Sequence, residues 1–265
     1  MLQFIQRRCA PALVLLCAAA ATTAVTTAAI TASASAADAP HVASHRKVNP
    51  APSADLHYAI NAQQSGLSLN GEALLTWRSS SATYRIDTES RSALLGKIVE
   101  SKSEGAIDSF GLAPVAFTEK RWRKQPTTTT FNRTDKAIHF STGTETYPLL
   151  GGEQDRSSAV WQLSAVARAN VAAFKPNSTW DFFVAGPRDA EPWVFKVINE
   201  ERLATAIGEQ RTLHIKRAPP PDSKGQNLDI WLAPAHEWYP VKIRFTDNDG
   251  DFIEQTLEKI DKPAG

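Results

Sequence analysis

The segment Tyr239–Ile260 reads YPVKIRFTDNDGDFIEQTLEKI and carries the clearest structural pattern in the chain. Apolar and charged side chains alternate in Val241–Phe245, as they do in a β-strand with one buried face and one face in water. Asp247–Gly250 is made only of turn-forming residues. The segment therefore predicts an antiparallel hairpin of two strands, 239–247 and 251–260.

The same two-residue period continues over most of the chain between Leu56 and Ile260. Residues 84–89 alternate in this way, and so do residues 213–216. Turn-forming pairs separate such runs, and they are Ser65-Gly66, Asn70-Gly71 and Gly151-Gly152. These patterns predict a mainly β fold of the α+β class, built on a single antiparallel curved sheet or an open β-barrel.

One segment has a different period. Residues 155–171 contain neither glycine nor proline, and apolar side chains recur there at helical spacing, at Val160, Leu163, Ala167 and Val171. Asp155 or Ser157 can cap the first turn by accepting hydrogen bonds from free backbone N–H groups. We expect one central helix over 155–171.

The first 36 residues have the three parts of a secretory signal peptide. Arg7 and Arg8 precede an uncharged run, and small residues follow it. We expect cleavage after Ala36, with Ala34 as the alternative, and Sec-dependent export to the periplasm. An extracellular or membrane-associated location is the alternative.

Three other interpretations of the N-terminus fit less well. The densest apolar stretch, Ala12–Ala21, is shorter than the roughly 20 residues of a transmembrane helix. Cys17 follows Leu16, where a lipoprotein signal has a small residue. Cys9 follows Arg8, where a twin-arginine signal has an apolar pair. We therefore expect no stable transmembrane anchor.

Residues 37–55 contain three prolines among small and polar residues, which predicts a disordered linker before a β-rich domain of residues 56–262. His41 and His45 lie in this linker. Their spacing could serve a metal only on a helix, and no helix is indicated, so we interpret them as part of a solvated tail.

Composition excludes several classes of function. Both cysteines, Cys9 and Cys17, lie in the expected signal peptide, so the exported domain has no thiol chemistry and no disulfide. The chain has 29 basic and 28 acidic residues, whereas a nucleic-acid-binding protein usually has a basic excess. We expect no nucleic-acid partner.

No motif in the sequence indicates catalysis, a metal or a cofactor. The histidines lack zinc-site spacing, and neither a G-x-S-x-G nor a phosphate-binding loop occurs. Two carboxylates in one cleft would suffice for glycoside hydrolysis, and Glu100 and Glu104 share a strand face. We interpret them, and the carboxylates of 247–251, as scattered surface and turn residues.

The seven tryptophans are the remaining feature. They fit an apolar core, because a tryptophan buries a large area. They also fit a groove that binds a lipid, a glycan or a peptide, and the candidate groove residues are Phe182, Phe183, Trp193 and Phe195.

Three segments together resemble a known family. They are Gly111–Phe117 (GLAPVAF), the helix start Gln154–Ser158 (QDRSS) and Leu228–Ile243, which contains D-x-W-L and Y-P-V-x-I. The sequence resembles the family called domain of unknown function 3108 over about residues 56–260, although that family often has Asp-Pro-Leu-Ser at residues 155–158. The resemblance implies an exported antiparallel β fold and transfers no catalytic residue. A weaker likeness, of architecture only, is to the periplasmic half-barrels that carry lipoproteins.

These observations lead to one expected function and two alternatives. We expect an exported periplasmic protein with a non-enzymatic binding or envelope-maintenance role and an apolar ligand groove. Its expected partners are a lipid, a glycan or an envelope protein. The alternatives are an envelope scaffold that pairs with a partner through a sheet edge, and a hydrolase of cell-wall or glycan material.

Overall fold

The computed structural model describes residues 41–219 and 225–263, so the expected signal peptide and its cleavage site after Ala36 lie outside the described residues. The described chain forms one curved, open sheet with a single α-helix, which confirms the predicted fold class. The strands are β1 Ala54–Gln64, β2 Leu67–Ser79, β3 Thr83–Ser92, β4 Gly96–Asp108, β5 Gly111–Arg121, β6 Thr127–Asn132, β7 Ala137–Phe140, β8 Thr146–Pro148, β9 Gln154–Asp155, β10 Thr179–Ala185, β11 Ala190–Thr205, β12 Gly208–Arg217, β13 Asn227–Ala233, β14 Tyr239–Thr246 and β15 Phe252–Asp261. The helix is α1, Ser158–Ala169.

Two meanders build the sheet. Strands β1 to β8 are antiparallel neighbours in chain order, and so are β10 to β15. Pairing of β1 with β15, from Asp55↔Asp261 to Gln63↔Phe252, joins the two meanders. The short strand β9 adds to β10 in parallel, so β8 and β9 are the two edges of the sheet.

Two of the predicted turns form as expected, and one does not. The hairpin predicted over 239–260 is confirmed, since β14 pairs with β15. Ser65 and Gly66 join β1 to β2 with φ values of 51° and 80°, as a two-residue type I′ turn requires. The turn expected at Asn70-Gly71 is wrong, because Gly71 lies inside β2. A Cβ on Gly71 would lie 2.1 Å from the carbonyl oxygen of Arg91, so the glycine permits close approach of β3.

The predicted helix is confirmed with shorter bounds than 155–171. Ten of its twelve residues are buried beneath the curved sheet. Asp155 lies in β9 rather than in the helix, and its Oδ1 accepts the N–H groups of Ser157 and Ser158 at 2.8 Å each. This carboxylate satisfies backbone donors at the helix start, as the sequence suggested.

Aromatic side chains form the centre of the core. Trp77 of β2 stacks on Trp161 of α1 with ring centroids 4.2 Å apart. Five of the seven tryptophans are buried, and they are Trp77, Trp161, Trp193, Trp231 and Trp238. The tryptophans therefore serve mainly as core, and the space inside the sheet is filled by α1 and its aromatic neighbours.

The second half of strand β10 packs against other elements on both faces. Phe182 and Val184 pack in the apolar cluster around α1, whereas Phe183 and Ala185 pack with side chains of β6 and β7. A hydrogen bond of 2.7 Å from Thr129 Oγ1 on β6 to the carbonyl group after β10 ties the two layers together. One end of the sheet therefore packs over the outer side of the other end.

The segment before β1 differs from the disordered linker expected over 37–55. Its described part packs against the domain, and we call residues 41–50 the N-terminal strap. Asn49 N–H donates to the Ala165 carbonyl oxygen at 2.9 Å, and Asn170 Nδ2 donates to the Lys47 carbonyl oxygen at 3.0 Å. Composition predicts disorder here, but contacts with residues more than a hundred positions away position the strap.

Candidate functional site

The ladder of backbone hydrogen bonds is interrupted where β5 faces β9 and α1. Strand β6 pairs with β5 only from Ala116 onward, which leaves the first residues of β5 without a strand partner on that side. Gln162 Oε1 accepts the N–H of Leu112 at 2.8 Å, and Gln154 Nε2 donates to its carbonyl oxygen at 2.7 Å. Side-chain amides therefore replace a neighbouring strand, and we call this region the opening.

Gly111 makes the contact with the helix possible. Its φ of +107° is unfavourable for other residues, and a Cβ there would lie 2.3 Å from the amide nitrogen of Gln162. Gln162 Nε2 also donates to the Phe110 carbonyl oxygen at 2.8 Å. The glutamine thus holds the start of β5 against α1 from two directions.

A fully buried carboxylate lies beside the opening. Asp155 Oδ2 accepts the hydroxyl of Ser103 at 2.5 Å, in addition to the two N–H groups at the helix start. Burial raises the pKa of Asp155 to about 6, even though the hydrogen bonds from Ser103, Ser158 and Ser157 favour the charged form. The phenol of Tyr84 belongs to the same buried cluster, since its Oη lies 3.1 Å from Ser103 Oγ. Asp155 thereby joins β4, β9 and α1.

The N-terminal strap crosses this region through stacked side chains. The ring of His41 stacks on Phe183 with centroids 4.0 Å apart, and its Nε2 lies 2.6 Å from Glu153 Oε1. His45 stacks on Phe110, also at 4.0 Å. The interpretation of His41 and His45 as part of a solvated tail is therefore wrong, because each imidazole ring stacks on a phenylalanine ring.

Glu153 is a buried acceptor for the strap, with its side chain only 1% exposed. Burial opposes its ionisation, but His41 and the backbone N–H groups of Gly151 and Leu150 outweigh that effect, so its pKa is lowered. Gly151 N–H donates to this carboxylate at 2.9 Å. An ionised Glu153 therefore holds His41 in place.

Arg46 attaches the N-terminal strap to β10. Its guanidinium lies over the ring of Phe182, 5.3 Å from the centroid, and donates to the Asp181 carbonyl oxygen at 2.8 Å. The three strap side chains His41, His45 and Arg46 therefore cover three phenylalanine rings.

A groove of about 280 Å³ lies between the strap and the opening. Its apolar lining includes Phe110, Phe182 and Phe183, and its polar lining includes Glu153 and Gln162. Aromatic walls with a few convergent polar groups are typical of small-molecule sites. We take this groove as the candidate functional site.

The four aromatic residues singled out in the sequence divide between this groove and the core. Phe182 and Phe183 line the groove, whereas Trp193 and Phe195 do not. Phe195 is fully buried in the cluster around α1, and Trp193 packs against it with centroids 6.0 Å apart. Strand alternation does not explain this division, because Phe182 shares its face of the sheet with Trp193 and Phe195, whereas Phe183 faces the opposite side.

A second groove, of about 470 Å³, runs over the outer face of β2 to β5 and is lined mainly by charged and threonine side chains. Glu89 and Glu100 are cross-strand neighbours there, and Lys97 Nζ bridges them at 2.7 and 2.5 Å. Lys97 and Arg91 lower the pKa of Glu89. A glycosidase instead needs one carboxylic acid with a raised pKa, so this pair does not fit that chemistry.

Three of the four remaining histidines are explained by the sheet. His57, His139 and His214 lie on strands, and the Nε2 atom of each contacts a nearby aspartate. The described residues contain no cluster of three or more His, Cys, Asp or Glu side chains placed to hold a metal. No helix in the described ranges is both long enough and apolar enough to span a membrane.

The sequence missed the residues that complete the groove. Phe110, Glu153 and Gln162 belong to no motif. Only their arrangement in space joins them, since Glu153 is 112 residues from His41. Nothing in their local sequence could have identified them.

The family is established by the extent of the match. The chain matches the family described as Protein of unknown function (DUF3108) over residues 54–258. This match covers most of the chain, so the chain belongs to that family, and the resemblance found in the sequence is confirmed. No relative matches among the curated proteins.

Solved structures show the same kind of fold. A β-barrel-like protein of the domain of unknown function DUF1849 from Brucella abortus aligns with a TM-score of 0.53 and 12% identity, covering 82% of this chain and 99% of that one. At this identity the similarity shows a common fold and nothing about activity.

A lipoprotein-sorting domain is also among the structural matches. It is a domain from Vibrio parahaemolyticus, described as an outer membrane lipoprotein-sorting protein, with a TM-score of 0.30, 8% identity, and coverage of 81% of this chain and 86% of that one. It agrees with the likeness to lipoprotein-carrier half-barrels, but a TM-score this low carries no argument.

Proposed function

We propose that this member of the DUF3108 family is an exported periplasmic protein that binds a small apolar group and catalyses no reaction. The proposed ligand site is the groove under the N-terminal strap. The observation that carries this proposal is the set of rings Phe110, Phe182 and Phe183 around a space of about 280 Å³. Apolar walls supply the binding energy, and the few polar groups fix orientation.

The size of the groove limits the ligand. Pockets for drug-sized molecules span roughly 300–1,000 Å³, so this groove of about 280 Å³ is just below that range. Because α1 and Trp161 fill the inside of the sheet, a large lipid with several acyl chains does not fit there. A single ring or one short acyl segment fits the groove better.

The strap has the properties of a cover that can be displaced. Its three stacking side chains are attached by a few hydrogen bonds and ring contacts, whereas the neighbouring strands are held by continuous ladders. A ligand can replace the imidazole of His41 on Phe183 without breaking the sheet. Such a ligand would need a donor toward Glu153, since that carboxylate is buried.

Export rests on the N-terminal sequence. Arg7, Arg8, the uncharged run and the small residues before Ala36 support Sec-dependent export, and these residues lie outside the described part of the structure. In the periplasm a lipid, a glycan or an envelope protein could each present a small apolar group. An envelope-maintenance role follows if that partner is an envelope component.

The alternative of a scaffold that pairs through a sheet edge has less support. The edge strands β8 and β9 have three and two residues. Short edges are one way in which proteins prevent strand addition, and a partner strand would gain few hydrogen bonds. The hydrolase alternative is not favoured by the carboxylate-lined groove of β2 to β5, where Lys97 and Arg91 lower the pKa of Glu89.

The identity of the ligand can be tested on protein purified from its native envelope. Native mass spectrometry should detect a co-purifying apolar molecule and an N-terminus at Ala37. Detection of the unprocessed N-terminus would contradict the export part of the proposal.

The site can be tested separately with a dansylated fatty acid as a fluorescent probe. Phe183→Ala should weaken probe binding by about tenfold, the loss expected when an aromatic wall worth roughly 1.4 kcal/mol is removed. Trp122→Ala is the matched control, because Trp122 is 43% exposed and does not line the groove. Equal binding by wild type and Phe183→Ala would contradict the assignment of the groove.

A further inference from the structure

Two arginines meet at the turn between β10 and β11, away from the groove under the strap. Arg217 ends β12, and its side chain is only 4% exposed. Arg156 follows β9, and its guanidinium occupies the position of a side chain on Gly186. A Cβ at Gly186 would lie 2.8 Å from both Nε and Nη2 of Arg156. A glycine is therefore required at residue 186, because any side chain there would overlap the guanidinium of Arg156.

Pairing in the sheet places Arg217 on the same face as two other functional groups. Arg217 pairs with Phe195, which packs against α1, so its side chain is on the inner face together with Trp193 and Glu191. Its guanidinium lies 4.5 Å from the centroid of the Trp193 ring. Glu191 Oε1 accepts from Arg217 Nη2 at 2.6 Å and from Trp193 Nε1 at 2.9 Å.

The hydrogen-bonding capacity of this cluster is incomplete. Arg217 Nε is buried, and no described residue accepts its hydrogen bond. A buried donor without an acceptor is costly, and in native proteins it commonly indicates a missing ligand or water. Among the described residues, no carboxylate lies within ion-pairing distance of Arg156.

The charges in the cluster do not cancel. Among the described residues, two guanidinium groups face one carboxylate, so the described part of the cluster has an excess of one positive charge. Burial lowers the pKa of Arg217, the contact with Glu191 opposes this effect, and the charge of Arg156 lowers the pKa further. A singly charged anion would remove this repulsion.

We infer that Arg156, Arg217 and Trp193 form a binding site for a singly charged oxyanion, such as a phosphodiester or a carboxylate. Arginine suits this role because its planar group donates two parallel hydrogen bonds to such anions. The free Nε of Arg217 and the guanidinium of Arg156 supply the donors. None of these residues lines the groove under the strap, so the site is independent of the proposed function.

Isothermal titration with inorganic phosphate and with acetate, at low ionic strength and in a buffer free of other oxyanions, tests the site. Gly186→Ala is the most informative variant, because the added methyl group displaces the flexible end of Arg156 and leaves the backbone in place. Arg156→Gln removes the same charge. Arg188→Gln is the control, since Arg188 is an exposed residue of the same turn.

Both test variants should bind the anions about tenfold more weakly than wild type, with unchanged circular dichroism, and the control should bind like wild type. Absence of binding to wild type, or equal binding by all four proteins, would overturn the inference. An equal loss of anion affinity in Arg188→Gln would also overturn the inference, since it would indicate a general charge effect. Co-sedimentation with vesicles of phosphatidylglycerol and of phosphatidylcholine then distinguishes a lipid head group from a free anion. If the site takes a head group, wild type should bind the phosphatidylglycerol vesicles and Arg156→Gln should not.

Discussion

The pairing of β1 with β15 and the opening beside β5 close the domain in different ways. We call the pairing of β1 with β15 the seam. There, nine residue pairs continue the backbone ladder between the first and the last strand of the chain. At the opening the ladder stops, and the side chains of Gln154, Asp155 and Gln162 take over its hydrogen bonds. A curved sheet can therefore be completed by a few buried amides and one carboxylate where strands are missing.

This difference explains where the candidate site lies. A continuous ladder leaves no space for a ligand between its strands. Side-chain bridges leave gaps, and the strap with its groove occupies one of them. The seam should therefore tolerate small changes, whereas the opening should depend on single residues.

The largest expected effect is at Asp155. Asp155→Ala leaves two N–H groups of the first helical turn and the Ser103 hydroxyl without an acceptor in a fully buried place. At a cost of roughly 1–3 kcal/mol for each orphaned group, we expect a loss of about 4 kcal/mol in the free energy of unfolding. Urea unfolding measures this loss. A loss smaller than that of Gln63→Leu, a seam variant, would remove the distinction between the two regions.

The second effect is a pH dependence that Asp155 gives to the opening. Its pKa is about 6 in the folded state and 3.8 in an unperturbed side chain, so the folded state binds the proton more tightly. Its contribution to stability is therefore fully present below the unfolded pKa and is lost as the pH rises through the folded pKa. This amounts to about 2.4 kcal/mol between pH 4 and pH 7.

Asp155→Asn provides the reference for this effect, because the amide does not titrate. The stability of wild type relative to Asp155→Asn should rise by that amount as the pH falls from 7 to 4. Carboxylates with lowered pKa values, such as Asp55 and Glu237, lose stability at acid pH in both proteins and cancel. A difference that stays constant with pH would show that Asp155 titrates normally.

A smaller effect is expected at Gln162. Gln162→Leu keeps the approximate volume but leaves the Leu112 N–H and the Phe110 carbonyl oxygen unpaired. We expect a loss of about 2 kcal/mol in the free energy of unfolding. Gln63→Leu is the matched control at the seam, because Gln63 is exposed on β1, and its effect should stay within about 0.5 kcal/mol. Equal effects would argue against a special role for the opening.

An effect smaller than that of Gln162→Leu should come from the apolar face next to the seam. Ile243 of β14 is 7% exposed, and Ile243→Val removes one methylene group without disturbing the ladder. We expect a loss of about 1 kcal/mol. Thermal or urea unfolding checks it, and a loss as large as that of Asp155→Ala would reverse the ranking of the two regions.

The hairpin of β14 and β15 could be predicted from the sequence because its information is local. Alternation in 239–247 and 251–260, with turn residues between them, was enough to place β14 and β15. The helix followed from its apolar spacing. Strand count and strand order did not follow, since alternation does not state which strands are neighbours.

The opening could not be predicted because its contacts join distant parts of the chain. Gln154 and Gln162 are polar residues with no motif, and they became meaningful only when β5 lay beside them. Gly71 looked like a turn residue, although it permits a close approach of β3. Of the four aromatic candidates, only Phe182 and Phe183 line the groove, and alternation could not single them out because they face opposite sides of β10.

The most direct test of the central claim, that the opening is the ligand-binding side of the domain, is amide hydrogen exchange followed by mass spectrometry. The measurement compares the protein alone with the protein saturated by the dansylated fatty acid. We predict slower exchange on binding in peptides from residues 41–50 and 108–113, and no change in peptides from β1 and β15. Protection confined to β1 and β15, or no change in the strap, would contradict the account.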